Sequence, residues 1–208
     1  MMEVMEAIEA RRSHRAYKPD PLTGEQLDTL LKAALASPSA VNRQPWHFTV
    51  VQDPALLKRI NDATAEDMMK KAAEDRSPRF ADPAFDVFYH APAVIFISGD
   101  KNFYWSQIDC GIAVENLALS AMGLNLGSVI VGMPRMVIER EGGEETKRRL
   151  GIPEGNEFIV GMLIGLNTVT KEAHPIEPNK VAIIRPILRA KRRKNRRFAR
   201  FAKNITEN

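Results

Sequence analysis

One cysteine, Cys110, in 208 residues leaves no partner for an internal disulfide and excludes a cysteine-rich metal centre. A chain that holds one unpaired thiol suits a reducing cytoplasm. Long apolar runs are also missing: stretches such as Ala93 to Ile97 fall far short of the span of a bilayer. The segment Met1 to Ala10 carries three glutamates and no basic region, so it does not read as a signal peptide. The four histidines (His14, His47, His90, His174) have neither HxxxH nor HExxH spacing, and no metal site is expected. No GxGxxG follows a strand and no GxxxxGK[ST] or G-x-S-x-G occurs, so Rossmann, P-loop and Ser-His-Asp chemistries have no signature.

Hydrophobic residues make up 44% and charged residues 27%, the balance of a globular domain with room for one sizeable core. The net charge of +4 is unevenly placed. Between Arg189 and Lys203 there are nine Lys or Arg and no acid, and the remaining chain holds more acid than base. The pI of about 9.3 therefore describes a tail. Such a tail is either a solvated or partner-packed extension or a surface for an anionic polymer, which it would bind by displacing counterions. No RNP motif or zinc-finger spacing supports nucleic acid.

Periodicity places a short amphipathic helix over residues 2–12, with Met2, Met5, Ala7 and Ile8 on one face. Thr23 with Gln26 forms a capping-box pattern ahead of Leu27, Leu30, Leu31, Ala34 and Leu35, a helix that stops before Pro38. Trp46 to Val51 is dense in aromatic and β-branched residues and reads as a strand; Pro54 opens a helix with Leu56, Leu57, Ile60 and Ala63 inward. Residues 72–86, charged and holding Pro78 and Pro83, read as a mobile loop or lid. Ala93 to Ser98 is a strand covered on both faces. A helix from about Tyr104 to Met122 is apolar around most of its circumference, which places it in a core or a subunit interface, with Gly123 as its C-cap. Strands Leu126 to Val131 and Glu157 to Ile164 flank a short helical stretch around Val137 to Leu150. The class is α/β or α+β with helices against one central sheet. From about Thr170 the chain is expected to be extended and then basic, with Phe198, Phe201 and Ile205 at helical spacing.

Three constellations can carry chemistry. Arg11-Arg12-Ser13-His14-Arg15 packs three guanidiniums and a hydroxyl into five residues, a composition that binds phosphate by charge-assisted hydrogen bonds and equally one that offsets a helix dipole. Ser37 to Trp46, with Pro38, Ser39, Ala40 and Asn42, is either a rigid polar loop that approaches a flat ligand or a helix stop and turn. Gly127 to Pro134 runs a strand into a Gly-Met-Pro turn, a place where a ligand edge can dock. Cys110, inside the apolar helix pattern, reads as a core residue.

The blocks RRSHRAY, SPSAVNRQPWHF and IDCGIAVENLALSAMGLNLGS, followed by the Gly132 turn, resemble the nitroreductase family of FMN-dependent NAD(P)H oxidoreductases in order and spacing over roughly residues 3–166. The resemblance implies an α+β fold with a central, mostly antiparallel sheet flanked by helices, in a homodimer whose C-terminal tail is swapped or wraps the partner. It implies a domain over 1–170 and an extension over 171–208. Arg11 and Ser13 would hold the FMN phosphate and ribityl end, with Arg12 adding main-chain or side-chain contacts. Arg15 would face the N1–O2 edge, where positive charge stabilises the reduced ring. Pro38, Ser39, Ala40 and Asn42 would come from the other subunit, and Ile130, Val131 and Gly132 would present N–H groups to the N5–O4 edge.

Two departures from the family pattern stand out. The segment before the AVIFIS strand reads Ala84 to Val87 where members often carry Asn and Lys, and the usual Lys-x-Arg pair is replaced by a stretch in which Lys180, and less so Arg185, can serve the phosphate. The implied activity is hydride transfer from NADH or NADPH through flavin N5 to a nitroaromatic, quinone or enone acceptor, with no acid–base side chain required. A flavin-modifying or dehalogenase-like member of the same fold and a nucleic-acid-binding protein using the tail are the alternatives. Tyr104 and Trp105 either shape the acceptor pocket or pack at the helix start.

Overall fold

The capping box at Thr23 forms as its spacing demands. Thr23 Oγ1 accepts from Gln26 N at 3.2 Å and Gln26 Oε1 accepts from Thr23 N at 2.9 Å, opening helix α2 over Gly24–Leu35. The computed structural model describes residues 2–70, 82 and 84–184. Helix α1 (Val4–Ala10) precedes α2; strand β1 (Trp46–Val51), helix α3 (Pro54–Met69), strand β2 (Ala93–Asp100) and helix α4 (Ser106–Gly123) follow. Strand β3 (Gly127–Val131), two short helices α5 (Arg135–Ile138) and α6 (Glu144–Arg149), and strand β4 (Asn156–Gly165) complete the pattern. The stretch 72–86, read as a lid, lies mostly outside the described residues.

The four strands form one antiparallel sheet in the order β1-β2-β4-β3. Strand β2 sits inside it and buries both faces. Its Ala93, Ile95 and Ile97 point to one side, packing with Cys110, Ala113 and Leu117 of α4 and with Leu30 and Ala34 of α2. Its Val94 and Phe96 point to the other, against Leu57 and Ile60 of α3 and Phe88, Leu150 and Phe158. Each fully buried side chain of this size contributes about 2 kcal/mol of transfer free energy, so β2 alone seats two cores. Gly99 lets α4 approach: a Cβ there would stand 2.4 Å from Ser106 Oγ and 2.9 Å from Cys110 Sγ.

The α+β class with helices against an antiparallel sheet is what forms, and several local expectations are corrected. Of the expected α1 face only Ala7 is buried; Met5 and Ile8, like Val4 beside them, are exposed, with no described element covering them. Leu35 likewise points outward, and Thr64 and Met68 take the inward places on α3 expected in part of Ala63. Gly123 is the last helical residue and not the cap. The chain turns left-handed two residues later, at Asn125 (φ 56°), a residue type that tolerates this region. The single helical stretch expected around 137–150 is α5 and α6.

The chain divides into two compact units, Met1–Ala173 and His174–Asn208. In the second, the described residues form a short 3-10 turn over Pro178–Lys180, where Lys180 Nζ pairs with Glu177 at 3.2 Å. Arg185 and the basic run 189–203 lie outside the described residues.

Candidate functional site

The arginine-rich segment begins where α1 ends. Its course is set by backbone: Ser13 pairs with Ser128 of β3 as a parallel bridge, His14 N donates to Ser128 O at 2.9 Å, and Lys18 N donates to Leu166 O at 2.8 Å. The run Arg11–Lys18 is thus laid against the start of β3 and the end of β4. Gly127 makes this possible, since a Cβ there would stand 2.6 Å from Asn167 and 3.0 Å from the His14 ring.

The guanidiniums differ in their ties. Arg11 Nε stands 4.0 Å from Glu115 of α4, a loose and half-exposed pair. Arg12 folds back, Nη1 donating to Glu9 O at 2.6 Å and to Arg11 O at 2.7 Å, while its buried Nε finds no protein partner. Arg15 is exposed, with Nη1 at 3.4 Å from Ser13 O and its Cζ 5.9 Å from the Tyr89 ring centre. His14 is buried with Nδ1 unpartnered; burial lowers its pKa below 6.5, and the charges of Lys171, Arg11 and Arg12 act in the same sense. Tyr17 Oη donates to His14 O at 2.7 Å, and burial pushes that phenol far up.

Because Ser128 turns its carbonyl to His14, the period of two along β3 directs Ile130 and Gly132 to the same outer edge and Val131 inward to Gly161 of β4. Four residue steps from Ser128 to Gly132 span roughly 13 Å. Ile130 is half exposed, and a Cβ at Gly132 would meet nothing within 4 Å. One strand edge therefore carries a cationic segment at one end and, at the other, the half-exposed Ile130 and a turn in which Gly132 O accepts from Arg135 N at 3.1 Å.

The loop after α2 is held elsewhere on α4. Ala40 N donates to both carboxylate oxygens of Asp109 at 3.2 Å, and Asn116 Nδ2 donates to Ser37 Oγ at 2.8 Å. Ser39 Oγ accepts from Gln44 N at 2.9 Å, and Asn42 Oδ1 accepts from Gln44 Nε2 at 3.1 Å. Val41 (φ 49°), Asn42 (φ 54°) and Gln44 (φ 49°) are left-handed without being glycine, and Val41 is 90% exposed. A β-branched residue in that region marks stored backbone strain. Within one chain the structure brings Arg11, Ser13 and Arg15 to the β3 edge but does not place Pro38, Ser39, Ala40 and Asn42 beside them; Lys180 belongs to the other unit.

A cavity of about 330 Å³ opens at Arg15, lined also by Tyr17, Phe85, Asp86, Tyr89 and His90. A larger cleft, about 700 Å³, lies between Pro19, Pro54, Leu57, Asn61 and Phe88 and touches none of the candidate residues. The smaller one is the more pertinent, since the candidate residue Arg15 lines it. Asp109 and Tyr89 escaped the sequence reading: the first looked like one acid at the start of an apolar helix, and the second had no local signal. Cys110 is fully buried, its thiol pushed up to about 12 by burial, and is a core residue. Tyr104 and Trp105 do not pack into the core; they meet each other edge-on at 4.9 Å and stay exposed. Among the described residues no group of His, Cys, Asp or Glu could hold a metal ion, and no helix is long and apolar enough to cross a membrane.

In sequence and in fold the chain matches known proteins. The model of the Nitroreductase family matches residues 8–166, and the chain belongs to that family. A protein of Archaeoglobus fulgidus, provisionally named an NADH dehydrogenase/NAD(P)H nitroreductase, is 36% identical over 155 residues, covering 74% of this chain and 79% of that one. An FMN-dependent nitroreductase from Clostridium difficile R20291 superposes with a TM-score of 0.79 at 31% identity, covering 88% of this chain and 99% of its own. A nitroreductase with bound FMN from Desulfitobacterium hafniense DCB-2 gives a TM-score of 0.81 at 27% identity, covering 89% and 100%.

Proposed function

We propose that this chain is an FMN-dependent oxidoreductase that passes hydride from NADH or NADPH to an electron-poor acceptor of nitroaromatic, quinone or enone type. The observation that carries the reading is the Arg11–Arg15 segment fixed by Ser13–Ser128 to the β3 edge. The residues fit the cofactor on their own geometry. Arg11 keeps only a loose ion pair to a half-exposed Glu115, so a phosphate would find a guanidinium with unspent capacity beside the Ser13 hydroxyl. Further along, the half-exposed Ile130 and the uncrowded Gly132 turn leave room for the rim of a planar ring. When bound, FMN supplies the two-electron chemistry, taking hydride at N5 from the nicotinamide and returning it to the acceptor.

The remaining roles belong to this chain's residues. Arg11 and Ser13 hold the phosphate, with Arg12 contributing main chain since its side chain is folded onto α1. Arg15 sets positive charge at the N1–O2 edge. Ile130 and Gly132 donate at the N5–O4 edge, with Val131 supporting them through β4. Pro38, Ser39, Ala40 and Asn42 line the ring of a second subunit, which makes the active form a homodimer with two composite sites. The exposed apolar residues of α1 and α4 (Val4, Met5, Ile8, Ile108, Ile112) support such a partner. Lys180 serves the phosphate, residues 1–170 form the catalytic domain, the extension 171–208 wraps the partner, and the protein works in the cytoplasm.

The test is optical. Protein incubated with FMN and desalted retains a yellow flavin spectrum that anaerobic NADH or NADPH bleaches and an added quinone or nitroaromatic restores. Protein that stays colourless overturns the reading. Removal of residues 189–208 leaves flavin reduction intact; salt-sensitive binding of RNA by the intact chain, lost on that removal, would favour the nucleic-acid role for the tail.

A further inference from the structure

We infer that Tyr89 is a positioning residue for Arg15: its ring fixes where that guanidinium stands, and so sets how strongly the protein favours reduced over oxidised flavin. The inference rests on the reading above, in which Arg15 faces the N1–O2 edge.

Arg15 has few other anchors. Its Cζ lies 5.9 Å from the Tyr89 centroid, within cation–π range, whereas its bond to Ser13 O is long at 3.4 Å. The two acids that share its cavity are occupied. Asp86 accepts from Phe88 N at 2.8 Å, from His90 N at 2.9 Å and from the His90 ring at 3.0 Å, and Asp82 Oδ1 accepts from Ala84 N at 2.9 Å. Among the described residues Arg15 forms no ion pair with a carboxylate. Among the described residues the Tyr89 ring face is the contact placed to locate it, with Tyr17 beside it in the same cavity.

That ring is held by unusual backbone. Tyr89 (φ 50°) and His90 (φ 56°) are consecutive left-handed residues, neither of them glycine. Conformations of this kind persist only where surrounding bonds over-determine them. Here Asp86 ties Phe88, Tyr89 and His90 through its side chain and carbonyl, and Asn61 Oδ1 of α3 accepts from Val87 N at 2.9 Å. The turn leaves Phe88 in the core and sends Tyr89, half-buried, across the cavity to Arg15.

Two electrons and one proton, delivered as hydride from NADH or NADPH, leave the reduced ring with one more negative charge. A guanidinium held against the N1 side favours that state, while one free to swing into solvent is screened.

The experiment compares midpoint potentials and oxidised-FMN affinities of the FMN-loaded protein with those of Arg15→Ala, Tyr89→Leu, Tyr89→Phe and Tyr89→Gly. Arg15→Ala weakens binding of reduced relative to oxidised flavin about tenfold, a fall of about 30 mV in the two-electron potential. Tyr89→Leu reproduces most of that fall and adds nothing to it in the double variant, whereas Tyr89→Phe, which keeps the ring face, retains the parental potential. Tyr89→Gly suits the positive φ and gives the same fall as Leu where the leucine variant fails to fold. A parental potential in Tyr89→Leu or Tyr89→Gly beside a shifted Arg15→Ala overturns the inference alone. A parental potential in Arg15→Ala overturns the placement of Arg15 at the ring and the inference with it.

Discussion

The two halves of the site are prepared in opposite ways. The Arg11–Arg15 segment is rich in charge and ordinary in backbone, held by strand-like hydrogen bonds to Ser128 and Leu166. The Pro38–Asn42 loop has no charged side chain and stores its preparation in left-handed residues pinned to Asp109. Both lean on α4, at Glu115 and Asp109, about 9 Å apart along its axis. Charge suffices to catch a phosphate, but a flat ring needs close approach, which charged side chains obstruct and a rigid small-residue loop permits.

The sharpest way to break this contrast is to strip the first half of its donors. Arg11→Ala with Ser13→Ala weakens FMN binding roughly a hundredfold, about 2.7 kcal/mol, as expected for loss of charge-assisted bonds. Quenching of flavin fluorescence measures it, and unchanged affinity would place the phosphate elsewhere. Next in size, Asp109→Ala strands the Ala40 N–H and lowers stability by about 1–3 kcal/mol in urea unfolding. A parental midpoint would show that the loop holds itself. Val41→Gly releases a left-handed β-branched residue that is 90% exposed, and stabilises by about 1 kcal/mol in the same assay. Destabilisation instead would reveal that a second copy covers the side chain.

The smallest effect is a titration. His14 is buried and its pKa is lowered below 6.5, so the unfolded chain takes up a proton first as pH falls. The stability contributed by neutral His14 is complete above pH 6.5 and is lost as pH drops through that value toward the folded pKa. Thermal melts from pH 7.5 to 5.5 should decline more steeply than in His14→Gln; parallel profiles would assign the slope to other groups.

The comparison also shows what a sequence discloses. Trp46–Val51 was legible to the residue, because alternating β-branched and aromatic side chains leave little else to form, and the Thr23 capping box likewise. The arginine segment was legible as charge. What stayed hidden depends on distant partners. Val41 carries no sign of its positive φ, because a carboxylate 68 positions later, on Asp109, helps to impose the turn. Tyr89 gives no signal in the sequence, since it is the Asp86 turn that aims it at Arg15. Met5 and Ile8 fall at helical spacing, as read, yet among the described residues nothing buries them, because period marks a face without naming what receives it.

The bridge between Ser13 and Ser128 bears on the order of assembly. Between residues 13 and 18 the long-range backbone pairings run to Ser128 of β3 and to Leu166, Asn167 and Thr168 just beyond β4. Such long-range pairings wait for closure of the whole intervening chain. The arginine segment is therefore made well before the strands that place it: a nascent chain that has not yet delivered β4 can fold α2 against α4, but it has no finished seat for the arginines.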